Sequence, residues 1–229
     1  TSAHQVEGGN HNDWSEWEKS ESRIKNLELR IKDTEFQKQF SEHILSSHPS
    51  PLQPENYISG QACDHYHRFR EDFDIAKSLG QNAHRFSVEW SRIEPEEGRF
   101  DEKEIEHYRE VIKALRERGM EPFVTLWHWT LPVWLHHKGG VASKKFPNYF
   151  ARYTQRIVGA LGADVRFWTT LNEPEIYAMN SYLRGHWPPQ KKSFIASYQV
   201  TANLIATHRA AYRALKNSHQ DIQIGIVIN

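Results

Sequence analysis

An asparagine and a glutamate stand side by side at Asn172 and Glu173, directly after a stretch that suits a buried strand. That stretch, residues 165–171, is rich in β-branched and aromatic side chains, and Pro174 stops it because proline has no N–H for the strand ladder. Polar residues at the carboxyl end of a strand are where the chemistry of β/α proteins usually takes place. Glu173 is therefore a candidate reactive group, and the alternative is a turn with an exposed carboxylate.

Arg85 stands in a second strand-like stretch, residues 83–90, where polar and apolar side chains alternate. Arg85, Ser87 and Glu89 share one face of this predicted strand. Burying an arginine is costly unless it has partners. Arg85 is therefore expected to pair with a catalytic carboxylate, or to form a structural ion pair with Glu89 or another acid.

His128 lies at the end of a third stretch, residues 122–129, between two tryptophans. It could bind a hydroxyl group or take part in proton transfer, or it could be a neutral side chain whose hydrogen bonds the fold satisfies. Two other histidine pairs invite a metal site: His65 with His67, and His136 with His137. No third ligand stands at a recognisable spacing, so no metal site is predicted.

The elements that would position these residues alternate along the chain. Helical patterns separate the predicted strands, which are residues 83–90, 122–129, 165–171 and 222–228. The predicted helices begin at or near Asp64, Asp101, Pro147 and Ser193. This alternation predicts parallel strands joined by right-handed crossovers. The expected fold is an α/β (β/α)8 TIM barrel, of which the chain supplies about the first half, from the end of strand 1 to strand 5. A doubly wound sheet would normally carry a Gly-rich phosphate turn, which is absent here.

The segment before the first of these helices is predicted to lie mostly outside regular structure. Residues 1–17 read as an active-site loop, and a first strand would precede Gln5. Residues 18–57 show helical spacing and then a Ser/Pro-rich breaker run, which predicts a helical insertion into a single barrel domain of residues 1–229. The favoured role of the insertion is a surface cover, and the alternatives are a substrate lid or an oligomer contact.

Composition limits the class of protein and its partners. The 29 basic and 29 acidic residues balance, so neither nucleic acid nor a membrane surface is a predicted partner. No apolar run approaches the ~20 residues that span a bilayer. The first residues lack the features of a signal peptide and resemble the inside of a longer protein. A single cysteine, Cys63, excludes an intramolecular disulfide and predicts a cytoplasmic location.

Four motifs at predicted strand ends occur in the order found in glycoside hydrolase family 1, the β-glucosidase and β-galactosidase group. They are Gln5-Val6-Glu7-Gly8, Arg85-Phe86-Ser87-Val88-Glu89-Trp90-Ser91-Arg92-Ile93, His128-Trp129-x-Leu131-Pro132 and Thr170-Leu171-Asn172-Glu173-Pro174. The chain resembles this family throughout, apart from the inserted segment. The resemblance implies a barrel that hydrolyses terminal β-glycosidic bonds with retention of configuration, and no cofactor is predicted.

The resemblance also implies a role for each motif residue. Glu173 resembles the general acid/base that protonates the glycosidic oxygen and later activates water. Asn172 resembles the residue that hydrogen-bonds the sugar 2-hydroxyl, a contact expected to strengthen at the transition state. Gln5 and His128 resemble residues that bind the hydroxyls of the glycone. Arg85 resembles the cation that orients the nucleophile and keeps it ionised.

The sequence departs from the family pattern at three points. Thr130 stands where the family often has aspartate, and His4 stands where it usually has tyrosine. The family's nucleophile motif, Glu-Asn-Gly, does not occur in the 229 residues. A retaining mechanism needs two carboxyl groups ~5–5.5 Å apart, and only Glu173 is identified here. Trp129 is expected to form part of the sugar subsite wall.

The partner predicted for the chain, besides a β-glycoside or oligosaccharide substrate, is therefore the C-terminal half of the same barrel. On this hypothesis the chain alone is inactive. One alternative is a half-barrel that binds carbohydrate without catalysis, which would tolerate loss of Glu173. The other is a transglycosidase that passes the glycosyl group to an acceptor other than water.

Overall fold

The computed structural model describes residues 1–20, 23, 58–218 and 221–229. Within them lies a four-stranded parallel sheet in which spatial order follows sequence order. Its strands are β1 (Ala83–Ser87), β2 (Glu121–Trp127), β3 (Phe167–Asn172) and β4 (Gln223–Val227). Sequential parallel strands with helical crossovers are the repeating unit of a (β/α)8 barrel. The chain therefore forms half of such a barrel, as the sequence predicts.

Long helices precede each of these strands. They are α1 (His65–Ser78), α2 (Glu102–Glu117), α3 (Phe146–Leu161) and α4 (Phe194–Ser218). Each has apolar residues at helical spacing, and α3, for example, buries Phe150, Tyr153 and Ile157 completely. These side chains and those of the strands form one hydrophobic core between the sheet and the helices. Trp90 lies at its centre, stacked on Tyr153 with ring centroids 4.7 Å apart.

Several short helical segments complete the described fold. They are the α-helical turns Ala3–Val6, Asp13–Glu18, Trp90–Ile93, Val133–His137 and Pro174–Tyr177, the 3-10 turns Gly140–Ala142 and Gly162–Asp164, and the π-helical turn Ala178–Leu183. The first two correct the prediction that residues 1–17 form a loop. Asn12 explains the second helix, because its side chain accepts a hydrogen bond from the Ser15 N–H while the Ser15 side chain accepts one from the Asn12 N–H. Sequence inspection did not identify this capping box.

Helix and strand ends differ from the predictions where side chains bond locally. Asp101 caps α2 as expected, accepting hydrogen bonds from the N–H groups of the next turn. Asp64 does not cap α1. It adopts a left-handed conformation, and its carboxylate contacts the His67 ring instead. The first strand is three residues shorter than predicted because Glu89 begins a new helical turn, accepting from the N–H of Ser91.

The helical insertion predicted for residues 18–57 lies almost wholly outside the described residues, and the single-domain assignment stays a prediction. No helix among the described residues is long and apolar enough to cross a membrane. The same part of the chain contains no cluster of three or more His, Cys, Asp or Glu side chains that could hold a metal ion.

Three partly buried histidines should make the stability of the fold depend on pH. Burial lowers the pKa of His84 and His107 to about 4 and that of His128 to about 3. The unfolded chain would bind protons at these sites below about pH 6.5 whereas the folded chain would not. Between about pH 6.5 and pH 4 the unfolded state therefore carries more protons, and the free energy of unfolding falls as pH drops.

A His107→Phe variant should lose less stability than the unchanged protein when pH is lowered through this window. Its ring can keep the stack on Tyr66, where the centroids lie 3.8 Å apart, but it cannot take up a proton. Urea unfolding midpoints at about pH 7 and pH 5 measure the effect. Equal losses in the two proteins would contradict the assignment of a depressed pKa to His107.

Candidate active site

Four polar side chains named from the sequence lie within two residues of the carboxyl ends of neighbouring strands. Arg85 is on β1, His128 directly follows β2, Asn172 ends β3 and Glu173 follows it. In a parallel sheet these ends meet at one edge, which is where barrel enzymes place their chemistry. Their convergence follows from the common direction of the strands, even though 88 positions separate Arg85 from Glu173 in the sequence.

Asn172 connects the neighbouring strands through its side-chain amide. Its Oδ1 accepts a hydrogen bond from Nη2 of Arg85, and its Nδ2 lies 3.1 Å from Nε2 of His128. Since Oδ1 faces a guanidinium, the amide must present its N–H group to the histidine. The three side chains therefore form one hydrogen-bonded row, Arg85–Asn172–His128, across β1, β3 and β2.

His128 is neutral within this row. Burial, reinforced by the positive charge of Arg85, lowers its pKa to about 3. A neutral imidazole that accepts from Asn172 at Nε2 carries its proton on Nδ1. Nδ1 is buried and has no hydrogen-bond partner among the described residues, so its proton is unpaired there.

Arg85 brings to the site a positive charge that forms no ion pair within the described residues. Its Nε is buried without a partner in the described part of the chain, and none of the ion pairs found there involves it. Burial lowers the pKa of the guanidinium, while the nearby Glu173 carboxylate opposes that effect. The structural ion pair with Glu89, considered from the sequence, does not form, because Glu89 turns away from β1 into the following helical turn.

Glu173 and Trp129 both have left-handed backbones, with φ values of +44° and +80°. Such conformations are costly for residues other than glycine, and they concentrate at functional sites. The N–H of Glu173 donates to the carbonyl oxygen of Val227 at 2.8 Å, which ties the turn to β4. Glu175, a second glutamate two positions on, accepts from the N–H of Asn229 at 2.6 Å instead of contacting the row.

An aromatic cluster borders the row. The indole N–H of Trp129 donates to the carbonyl oxygen of Asn172 at 2.9 Å. Trp187 lies against Trp129 with ring centroids 4.6 Å apart, and Trp14 stacks on Trp129 at 6.2 Å. Sequence reasoning named Trp129 but missed Trp14 and Trp187 as its neighbours. The eight tryptophans of the chain were the available signal, although nothing in their spacing shows which of them meet.

Gln5 is not joined to the row. It is exposed on the short helix Ala3–Val6, and among the described residues its side chain makes no hydrogen bond to Arg85, His128 or Asn172. The segment itself is nearby, since the Ala3 N–H donates to Oγ of Ser87 at 2.8 Å. A role for Gln5 in binding a ligand therefore stays a prediction.

Comparison with known proteins places this site in a family context. The sequence profile of Glycosyl hydrolase family 1 matches residues 1–229. Beta-glucosidase A of Thermotoga maritima is 39% identical over 169 residues, which cover 73% of this chain and 38% of that protein. Beta-glucosidase 42 of Arabidopsis thaliana is 33% identical over 240 residues, covering 100% of this chain and 44% of the relative.

Solved structures with similar sequences share this architecture. A beta-glycosidase from Pyrococcus horikoshii superposes with a TM-score of 0.80 at 36% identity, covering 100% of this chain and 46% of that one. The beta-glucosidase of Thermotoga maritima in complex with deoxynojirimycin gives 0.81 at 30% identity, with 100% and 48% coverage. The chain thus spans less than half of the length of each of these relatives and structures.

Proposed function

Because the chain belongs to Glycosyl hydrolase family 1, we propose that it carries one half of the active site of a retaining, β-glucosidase-like enzyme. The observation that supports this most directly is the Arg85–Asn172–His128 row beside Glu173 at the carboxyl ends of parallel strands. The substrate class is a terminal β-glycoside. Relatives named as beta-glucosidases, and one such enzyme in complex with deoxynojirimycin, support a sugar ligand.

Asn172 and His128 have the hydrogen-bonding groups that a glycone requires. Asn172 is held from both sides, so its amide meets a ligand hydroxyl in a fixed orientation without first having to be ordered. We propose that His128, a partly exposed side chain hydrogen-bonded to Asn172, contacts a second hydroxyl. A neutral imidazole suits this task because its donor state does not change across the physiological pH range.

Glu173 is proposed as the general acid/base, with the second carboxylate supplied by the remainder of the barrel. In a retaining mechanism that second group attacks the anomeric carbon and must stay ionised. The positive charge of Arg85, which forms no ion pair among the described residues, would favour the ionised form and orient it. The chain thus contributes the proton donor, the sugar contacts and the supporting cation.

The surface of the half-barrel supports a further part as its partner. Helix α4 leaves a row of large apolar side chains exposed at heptad spacing: Tyr198 (71% exposed), Ile205 (52%) and Tyr212 (41%). The adjacent strand β4 lies at an edge of the described sheet, with most of its residues exposed. An exposed apolar helix face beside an unpaired strand edge is a site for another βα unit. We propose that the rest of the barrel covers it.

We expect the 229-residue chain alone to leave an aryl β-glucoside intact, and to hydrolyse it once the remainder of the barrel is joined to it or added as a separate polypeptide. The reason is that only one of two required carboxyl groups is present in the chain. The measurement is release of the phenol, with the intact mass of the sample checked against 26.9 kDa. Hydrolysis by a sample of that mass alone would contradict the proposal.

A cytoplasmic location is also proposed. The single cysteine, Cys63, is exposed as a free thiol, and exposed free thiols persist best in a reducing compartment. A fusion of the complete protein to a fluorescent reporter, followed by cell fractionation, tests the location directly.

A further inference from the structure

The turn that follows β2, residues 127–131, is held by a hydrogen bond at nearly every position. The indole of Trp127 donates to the carbonyl oxygen of Thr130 at 3.0 Å, and the indole of Trp129 donates to that of Asn172 at 2.9 Å. The N–H of Leu131 donates to Oδ1 of Asp13 at 2.7 Å, and its carbonyl oxygen accepts from the N–H of Asp13 at 3.0 Å. Such dense support fits a turn that must hold Trp129 at a left-handed φ.

The buried side chain of Glu89 also holds this turn, through Thr130. Its side chain is 1% exposed, and the hydroxyl of Thr130 donates to both of its oxygens, at 3.1 and 3.0 Å. The same carboxylate accepts from Oγ of Ser91 at 2.7 Å and from Nδ2 of Asn12 at 3.3 Å. Three separate segments, the N-terminal helix cap, the β1 end and the β2 turn, therefore meet on one buried carboxylate.

The donors to Glu89 are unusual because all of them are neutral. In the described part of the chain no lysine or arginine hydrogen-bonds to this carboxylate, and its direct donors are hydroxyl, amide and N–H groups. Oε2 accepts from Thr130 only, among those residues. Loss of the Thr130 hydroxyl would leave a buried carboxylate oxygen unpaired, and that cost would be relieved by movement of the turn.

We propose that Glu89 and Thr130 form a positioning pair that holds Trp129, and through it Asn172, in the geometry that binds the sugar 2-hydroxyl. The proposal rests on the glycosidase function proposed above. Three contacts connect the pair to the sugar site. Thr130 hydrogen-bonds to Glu89, and its neighbour Trp129 hydrogen-bonds to the carbonyl oxygen of Asn172. The side chain of Asn172 is the centre of the polar row. The alternative is that the pair stabilises the fold and does nothing further for the reaction.

Three variants of the complete enzyme separate these two roles. Thr130→Val removes the hydroxyl and keeps the volume, and Thr130→Ser restores a donor. Thr154→Val is the matched control, because Thr154 is also fully buried while its hydroxyl has no partner among the described residues. We expect Thr130→Val to lower kcat about tenfold with little change in KM, since small displacements near the reacting atoms can cost up to ~10²-fold. Thr130→Ser and Thr154→Val should stay within about twofold of the parent.

The substrate without the 2-hydroxyl gives the decisive comparison. If the pair acts through Asn172, a 2-deoxyglucoside should be hydrolysed by Thr130→Val and by the parent at similar rates. An equal loss on both substrates, or an equal loss in Thr154→Val, would overturn the proposal in favour of a purely structural role. So would a Thr130→Val enzyme with unchanged kcat.

A second readout does not require any hydrolysis, so the positioning role can fail or succeed separately from the proposed function. The indole N–H of Trp129, assigned by Trp129→Phe, should exchange with solvent faster in Thr130→Val than in the parent or in Thr130→Ser. Unchanged exchange would overturn the positioning role even in an active enzyme. Faster exchange in a protein that hydrolyses no glycoside would support the link from Thr130 to Trp129 and reject the proposed function alone.

Discussion

Replacing Glu173 by glutamine should lower hydrolysis of an alkyl β-glucoside by the complete enzyme by about 10²–10⁴-fold. Positioned proton transfer contributes a factor of this size, and glutamine keeps the shape of the side chain without a transferable proton. The left-handed backbone of Glu173 is unaffected by the change, because the side chains share the same Cβ and Cγ geometry. The loss is therefore expected in kcat/KM without unfolding, as a thermal melt would show.

The leaving group identifies which step is lost. An aryl glucoside whose phenol is acidic needs little protonation as it departs, so Glu173→Gln should retain much more of its kcat/KM for that substrate than for the alkyl glucoside. Water activation in the second step stays impaired, and a glycosyl-enzyme intermediate should then accumulate as a burst of phenol.

Glu175→Gln is the matched control, since Glu175 lies two positions away and contacts the N–H of Asn229 instead of the row. It should keep at least about half of the parent activity. If Glu175→Gln loses activity in the leaving-group-dependent manner and Glu173→Gln does not, the acid/base has been assigned to the wrong glutamate.

The sequence could specify where the site lies because its signals are local. Strand-like stretches that contain Arg85 and His128 or directly precede Asn172 identify the positions, and parallel strands must bring their carboxyl ends to one edge. The helices between the strands were predicted from a local signal too. The spacing of their apolar residues shows which face of each helix is buried. The fold class and the convergence of these residues could therefore be predicted from the sequence.

The contacts inside the site were not within reach, because they depend on backbone conformations that no spacing reveals. Glu173 and Trp129 lie at positive φ, although neither residue type favours it. Strict alternation placed Glu89 beside Arg85, but the strand ends at Ser87 and Glu89 becomes a helix cap bonded to Thr130. The hydrogen-bond partner of Arg85 is consequently the amide of Asn172. A search for oppositely charged partners in the sequence does not consider an uncharged amide.

Replacing Asn172 by alanine should reduce kcat/KM for a β-glucoside by about 10²–10³-fold, the usual cost of removing one well-placed transition-state contact. Alanine would remove the acceptor for Arg85 and the donor to His128 together, so the row would lose its centre. The size of the effect should exceed that of Thr130→Val, which only displaces the same amide. Steady-state kinetics on matched glucoside and 2-deoxyglucoside substrates measures both.

The pair of substrates turns this loss into a test of which hydroxyl Asn172 binds. The four values of kcat/KM, for the parent and Asn172→Ala on each of the two substrates, form a double-mutant cycle. The cycle gives the coupling free energy between the Asn172 side chain and the 2-hydroxyl. Strong coupling is expected, so that Asn172→Ala costs the 2-deoxyglucoside little. Arg85 and His128 are present in both enzymes, and displacement of these two side chains by the loss of Asn172 would slow both substrates alike. Equal slowing would show that Asn172 acts by ordering its neighbours, and that the sugar 2-hydroxyl is bound elsewhere.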